Sequence, residues 1–549
     1  MSLRRPRTTL TAALVPGIAA TAALAVTLTA PAYAGQRHHQ DHQQRLEPRT
    51  HFVMRPDGSS GNTRDGAGIP NIDSVKSTIR TYYGAGSDGI ADPDSSPYIS
   101  EMKQIARSQW RYLDRAKKQA VRHHRKPAIV FDPDDTTLWT YDMEDAAMHF
   151  NFDPALQNTW VQDQRFPATP SMVGFVNRAK QKGFAIFGIT GRSDTQEAAT
   201  LGNLDKVGYT PFNADNFYTK WSGTNPKPSY VTCAAATCTT VEYKAGTRRH
   251  IEKGLGYDIV LNVGDQWSDL QGGYADKVLK LPNPTYFLPS ADLDGTPADR
   301  AFSPRSRFTM KPDGSSGATE GGEGIPNIDI VKTTIRTYYK ATNGIADKSD
   351  SPYIRELERT TKHITPSLVS ACRTSARKGQ HPVVVLDADD TTLWTYDMED
   401  GAMKFNFNPT VQNDQWVQPQ RFPATPGMVA LSKAVDAAGC DLVGLTGRND
   451  AQKDATLGNL AKVGYTGFTS PNYYTKWVSG TVPSDRPWLA GTPCADGVCT
   501  TIEYKSLTRK HVAAQGHRIV ANLGDQFSDL IGGYADRQIK LPNPTYYLP

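Results

Sequence analysis

Asp132, Asp134 and Asp135 follow the apolar run Ala128-Ile129-Val130-Phe131, and nearly the same text returns as Asp387, Asp389 and Asp390 after Val383-Val384-Val385-Leu386. Carboxylates two residues apart at the end of a buried strand repel one another and lose their water. A divalent cation relieves both costs. The pattern suits a carboxylate nucleophile beside a second carboxylate that moves a proton, with a hard, oxygen-seeking metal between them and a phosphate. A calcium hand does not fit: it needs Gly at its sixth position and a carboxylate at its twelfth, where this chain has Thr137 and Met143.

The elements that must hold these carboxylates are readable from periodicity. Ile72, Val75, Ile79 and Tyr82 stand at helical spacing within 69–83, with Asn71 or Asp73 available as cap. Ala128 to Phe131 is a short continuous apolar run, as expected of a strand buried on both faces of a parallel sheet. Thr169-Pro170 opens a helix to Lys182, with Pro in the first turn. Phe184 to Ile189 reads as a second buried strand ending at Thr190-Gly191-Arg192, and a helix follows from Thr195 to Val207. Thr240 to Glu252 reads as helix, Ile259 to Val263 as strand, and Gly264 to Asp269 as the turn after it. This alternation implies a doubly wound α/β fold with a parallel sheet. Ligands of such sheets bind beyond the carboxyl ends of the strands, and Asp132, Thr190 and Asp265 each fall directly after one.

At 549 residues the chain exceeds what one core usually supports. Its text also repeats: 52–61 matches 308–317, and 281–286 matches 541–546. A period of about 250 residues is far too long for a solenoid unit, so a duplicated domain is expected. The division is 51–289 and 308–549, with 290–307, rich in Ser, Ala, Asp, Pro and Arg, as linker. Arg4, Arg5 and Arg7, the apolar stretch from Leu10 to Leu28 and Ala32-Tyr33-Ala34 read as a secretory signal over 1–34, to be excluded from the fold. Residues 35–50, with His38, His39 and His42, read as a disordered tail. The leader holds three arginines and no acid, so its removal takes the formal charge from +5 to +2, which calls for no nucleic acid. No second apolar stretch reaches membrane length, so the mature chain is expected to be soluble and extracellular.

Cysteine usage fits export. Cys233 and Cys238, and Cys494 and Cys499, occupy the same place in both copies and read as a structural disulfide in each. Cys372 and Cys440 occur in the second copy alone, as a third bridge or as buried thiols. Trp139, Tyr141, Phe150, Phe152 and Trp160 either line a pocket for an aromatic leaving group or belong to the core. Arg192 and Arg448 either touch a substrate phosphate or form an ion pair at the strand end.

Asp132-x-Asp134-x-Thr136, Ile189-Thr190, Lys244 in Glu242-Tyr243-Lys244, and Gly264-Asp265-x3-Asp269 resemble, in this order, the four-motif signature of the haloacid dehalogenase (HAD) superfamily. Gly264 to Leu270 with Leu281-Pro282-Asn283-Pro284 is similar, more narrowly, to the class B acid phosphatase and plant vegetative storage protein group, subfamily IIIB. The resemblance covers about 71–289 and 327–549. It implies a Rossmann-like sheet with small cap insertions and a magnesium-dependent acid phosphatase acting on small phosphomonoesters.

The resemblance assigns Asp132 as nucleophile, Asp134 as acid and base, and Thr190 and Lys244 as the grip on phosphoryl oxygens. Magnesium is expected on Asp132, the main-chain carbonyl of Asp134 and Asp265, with Asp269 in support. The second copy supplies Asp387, Asp389, Thr446, Lys505, Asp525 and Asp529 in the same roles. Lys220 and Lys476 compete for the phosphate role, and the family match decides for Lys244 and Lys505. An acid two residues after the nucleophile favours a phosphatase over carbon–halogen cleavage. Some plant relatives have lost the nucleophile and serve as storage proteins; this chain keeps it twice. Pro133 lacks the N–H that the residue after the nucleophile usually offers phosphate, whereas Ala388 keeps it, so the first site is expected to turn over more slowly. The regions at about 140–168 and 209–239 are expected to select the substrate.

Overall fold

In the computed structural model, residues 68–222, 225–288, 324–477, 482–492, 494 and 499–548 are described. The stretch 1–34 expected to be a signal peptide, the tail with its histidines, the opening repeats at 52–61 and 308–317 and the expected linker 290–307 lie outside them.

Two five-stranded parallel sheets form, one from each copy. The first comprises β1 (Lys126–Phe131), β2 (Ala185–Ser193), β3 (Phe217–Lys220), β4 (Tyr257–Gly264) and β5 (Val278–Lys280), in spatial order β3-β2-β1-β4-β5. The second comprises β6 (His381–Leu386), β7 (Asp441–Asn449), β8 (Tyr473–Lys476), β9 (His517–Gly524) and β10 (Gln538–Lys540), in the equivalent order. Within the two sheets the strands pair parallel. Ile129 and Phe131 point to one buried cluster and Ala128 and Val130 to another, so both faces of β1 are covered and the unbroken apolar run is explained. The chain builds outward from β1 through β2 to β3, then returns to β1's other side with β4. That reversal opens a crevice at the carboxyl ends of β1 and β4.

The first helix among the described residues spans Ile72–Tyr83, with Asn71 as the cap, its side chain accepting from Asp73 and Ser74 main-chain nitrogens. Helix Pro97–Arg122, which sequence reading passed over, packs beneath the sheet, and its Tyr112 hydroxyl donates to the Val260 carbonyl at 2.8 Å. Several expected boundaries move. The helix placed from Thr169-Pro170 begins at Met172, because Ser171 takes a left-handed φ of 68° and Pro170 precedes the turn. Strand β2 runs through Thr190 to Ser193, so Thr190 lies within the strand and not after it. The segment after β4 forms a short helix at Trp267–Leu270.

Trp139, Tyr141 and Phe150 are core residues, whereas Phe152 is 69 % exposed. All three disulfides pair: Cys233 with Cys238, Cys494 with Cys499, and Cys372 with Cys440. Cys372–Cys440 ties the long helix Pro352–Arg377 to the start of β7. The first copy has Lys117 and Phe184 there instead, with the ammonium 5.9 Å from the ring centroid. Among the described residues, no helix is long and apolar enough to cross a membrane.

Candidate active site

Four elements converge at the crevice. Asp132 follows β1, Thr190 lies in β2, Lys244 sits on helix Thr240–Arg249, and Asp265 and Asp269 flank the turn after β4. One carboxylate oxygen from each of Asp132, Asp265 and Asp269 lies within 4.8 Å of the others, and all three residues are buried. Asp387, Asp525 and Asp529 repeat the arrangement. Lys244 Nζ donates to Asp132 Oδ1 and, at 2.6 Å, to Asp269 Oδ1. Lys505 donates to Asp387 at 2.6 Å and to Asp529 at 2.5 Å.

The supporting contacts leave little freedom. Asp265 Oδ2 accepts from Gln266 Nε2 at 2.8 Å, Asn283 Nδ2 at 2.8 Å and the Tyr286 hydroxyl at 2.9 Å. Asp269 Oδ2 accepts from the Gln266 main-chain nitrogen at 2.9 Å. A Cβ on Gly264 would stand 2.4 Å from the Asp269 Cβ, so only glycine lets that carboxylate turn back into the crevice. Arg248, one turn beyond Lys244, donates to the carbonyls of Asp269 and Gly273 at 2.6 and 2.9 Å and also to that of Gln271. Burial pushes its guanidinium down to about 10.

Three buried carboxylates beside one ammonium leave excess negative charge. Desolvation, opposed by Lys244 and reinforced by Asp269, holds the Asp132 carboxyl well above its ordinary range. Burial and Asp269 raise Asp265 to about 6. Hard oxygen donors, clustered, out of water and short of positive charge, fit a divalent cation such as magnesium. The family expectation of a metal therefore agrees with the donor set.

Asp134 stands outside this trio. Its side chain goes to Arg192, with Nε 3.2 Å from both carboxylate oxygens and Nη2 2.5 Å from Oδ1. Arg448 holds Asp389 likewise, with Nη2 at 2.6 Å. The open question about these arginines resolves to an ion pair with the acid itself. Thr190 Oγ1 accepts from the Arg192 main-chain nitrogen at 3.0 Å, which leaves its hydroxyl proton free to donate into the crevice. Lys220, the rival to Lys244, donates instead to the Cys238 carbonyl at 2.9 Å.

Sequence reading gave no role to Asp135, Glu144, Arg248 or Asn283. Asp135 turns in the left-handed region at φ 45° and accepts from the Thr140 nitrogen at 3.0 Å and from its hydroxyl, closing the loop after β1. Burial and Asp265 raise it to about 8. Each of the four recurs in the second copy, as Asp390, Glu399, Arg509 and Asn543, and that repetition was the available signal.

In the second half the crevice opens into a cavity of about 700 Å³. Besides the site residues, Met398, Glu399, Phe405, Phe407 and Thr410 line it. They fall in the segment corresponding to 140–168, the first of the two regions expected to choose the substrate. Lys476 also lines it. Phe405 and Phe407 correspond to Phe150 and Phe152, so of the five aromatics weighed, this pair matches the cavity wall.

The family profile described as HAD superfamily, subfamily IIIB (acid phosphatase) matches residues 94–289 and again 334–549. The chain belongs to this family and carries it twice. Relatives include a stem 28 kDa glycoprotein of Glycine max, 32 % identical over 169 residues, which are 30 % of this chain and 61 % of that protein. Vegetative storage protein 1 of Arabidopsis thaliana is 28 % identical over 231 residues, 40 % of this chain and 75 % of its own. Acid phosphatase 1 of Solanum lycopersicum is 32 % identical over 171 residues, 30 % of this chain and 59 % of its own. The match thus spans about three fifths of the stem glycoprotein and of the tomato enzyme. A class C acid phosphatase from Bacillus anthracis with tungstate bound aligns at TM-score 0.29 and 20 % identity, over 39 % of this chain and 86 % of that one.

Proposed function

We propose that the protein is a secreted, magnesium-dependent acid phosphatase that hydrolyses small phosphomonoesters through an aspartyl-phosphate, with a catalytic domain in each of 51–289 and 308–549 joined by 290–307. The carrying observation is the cluster of Asp132, Asp265 and Asp269 at the strand ends, with Lys244 bonded to Asp132 and Asp269, repeated at Asp387. Export is supported by the leader pattern at 1–34 and by three disulfides.

In this reading Thr190 and Lys244 orient the phosphoryl oxygens. An Asp132 carboxylate oxygen attacks phosphorus in line as the bond to the leaving oxygen breaks, and Asp134 gives that oxygen a proton. Water then attacks the same phosphorus, Asp134 takes its proton, and the bond to Asp132 breaks to release phosphate. Lys244 screens Asp132 throughout, and Arg192 keeps the Asp134 carboxylate aimed. Magnesium on Asp132, Asp265, Asp269 and the Asp134 carbonyl would neutralise charge on phosphate and carboxylates. Asp387, Asp389, Thr446, Lys505, Asp525 and Asp529 act alike in the second half.

The test is release of p-nitrophenol from p-nitrophenyl phosphate. Activity should need magnesium, vanish with EDTA, and vanish in the Asp132→Asn, Asp387→Asn double variant. The storage relatives favour a second reading, a storage or phospholigand-binding protein with little catalysis. A wild-type chain that binds phosphate esters without turnover would establish that alternative.

A further inference from the structure

Each half's first helix is fastened across the molecule to the other half's active-site support. Asn71 Nδ2 donates to the carbonyls of Asn543 and Tyr546 at 3.1 and 2.6 Å, and the Ile72 nitrogen donates to the Pro544 carbonyl at 2.9 Å. Asp73 Oδ2 accepts from the Tyr547 nitrogen at 3.2 Å, and Asp73 also lines the second half's cavity. The reciprocal set is present. Asn327 Nδ2 reaches the carbonyls of Asn283 and Tyr286 at 3.0 and 2.7 Å, Ile328 nitrogen reaches Pro284, and Phe287 nitrogen donates to Asp329 at 3.1 Å. One continuous apolar cluster joins the halves beneath these contacts, running from Ile69 to Leu541.

The fastened segments are those that hold the candidate metal carboxylates. In 541–548, Asn543 Nδ2 donates to Asp525 Oδ2 at 2.7 Å, and Gln526, which also donates to Asp525, bonds the Tyr546 carbonyl. In 281–288, Asn283 and Tyr286 hold Asp265. Lys76 donates to the Phe405 carbonyl and Lys332 to that of Phe150, so the cross-connection also reaches the cavity-wall segment.

We propose that the active sites are assembled in trans within one chain: Asn71 and Asp73 are positioning residues for the Asp387 site, and Asn327 and Asp329 for the Asp132 site. The inference rests on the phosphatase reading for its kinetic readout. Removing the Asn71 amide takes away its bonds to the Asn543 and Tyr546 carbonyls, which weakens the hold on 541–548 and on Asp525 without touching the first site's own carboxylates.

The test uses the full chain with one site silenced. Asn71→Ser keeps a cap for its own helix but loses the cross-molecule donor. With Asp132→Asn, so that the second site alone reports, Asn71→Ser should raise the half-saturating magnesium concentration about tenfold, as loss of outer-shell support does. With Asp387→Asn, so that the first site reports, it should change nothing. Asn327→Ser should give the mirror result. Weakening confined to the half that carries the substitution, or equal in both, overturns the proposal, since local unfolding acts on its own half. Amide hydrogen exchange gives a readout without turnover: Asn71→Ser should speed exchange in 541–548 and spare 281–288, and Asn327→Ser the reverse. If the wild type lacks phosphatase activity, the functional reading fails while the exchange pattern still decides the coupling.

Discussion

Arg192 grips Asp134 from the neighbouring strand, Nε and Nη2 together addressing one carboxylate that would otherwise swing freely at the crevice mouth. The guanidinium is itself braced, since Nη1 donates to Thr200 Oγ1 at 3.0 Å. A fork of this kind fixes the plane of the carboxylate as well as its position.

Replacing that fork by a point charge separates aim from charge. Arg192→Lys, assayed with Asp387→Asn, is expected to lower kcat by about 10²-fold, the size of a misplacement effect. KM should move far less. The loss should be larger for an alkyl phosphate than for p-nitrophenyl phosphate, whose leaving group needs little protonation. An equal loss on both substrates would mean that Arg192 does not act through the acid.

Pro133 and Ala388 are expected to set the sites apart. With no N–H at Pro133, the first site has one donor fewer for a phosphoryl oxygen. Asp387→Asn, which leaves the first site, is expected to retain less activity than Asp132→Asn, which leaves the second. Pro133→Ala should narrow the gap. Equal residual activities in the two single variants contradict the expectation.

Glu399 is buried at the cavity wall. Desolvation, then Asp390 and Asp73, hold its carboxyl well above the ordinary range. The folded state therefore keeps a proton that the unfolded chain releases near 4.5, and stability is fully present below that pH and falls as pH rises toward the folded value. Glutamine does not titrate. Glu399→Gln should leave the melting temperature nearly unchanged at acid pH and raise it increasingly as pH climbs above the ordinary Glu value. A gain independent of pH would rule this out.

The Cys372–Cys440 bridge closes a span of 68 residues in the second half alone. Loop-closure entropy puts its contribution at about 4 kcal/mol. Cys372→Ser with Cys440→Ser should lower the temperature at which the second site inactivates, read with Asp132→Asn. An unchanged inactivation temperature at the second site would show that the bridge does not stabilise that half.

The sequence by itself determined the fold class, a doubly wound parallel α/β sheet, and the duplication, and it named the candidate carboxylates and lysine that the fold brings together. Local rules suffice there: an unbroken apolar run must be a two-sided strand, and an aspartate directly after it must lie at the sheet's binding edge. Boundaries that depend on a single turn, such as Ser171 or the extension of β2 past Thr190, were missed, because side-chain pattern does not report φ. Asp135, Arg248 and Asn283 were missed for another reason. Arg248 and Asn283 act on a carbonyl and a carboxylate of other elements, and Asp135 reaches Thr140 only through a left-handed turn; side-chain spacing records neither. The pairing of Arg192 with Asp134 and the bonds that the cap residues Asn71 and Asn327 donate to the opposite half belong to tertiary structure alone. Asn71 stands 475 residues from the Tyr546 carbonyl it bonds, and only the folding of both copies around one core brings the two together.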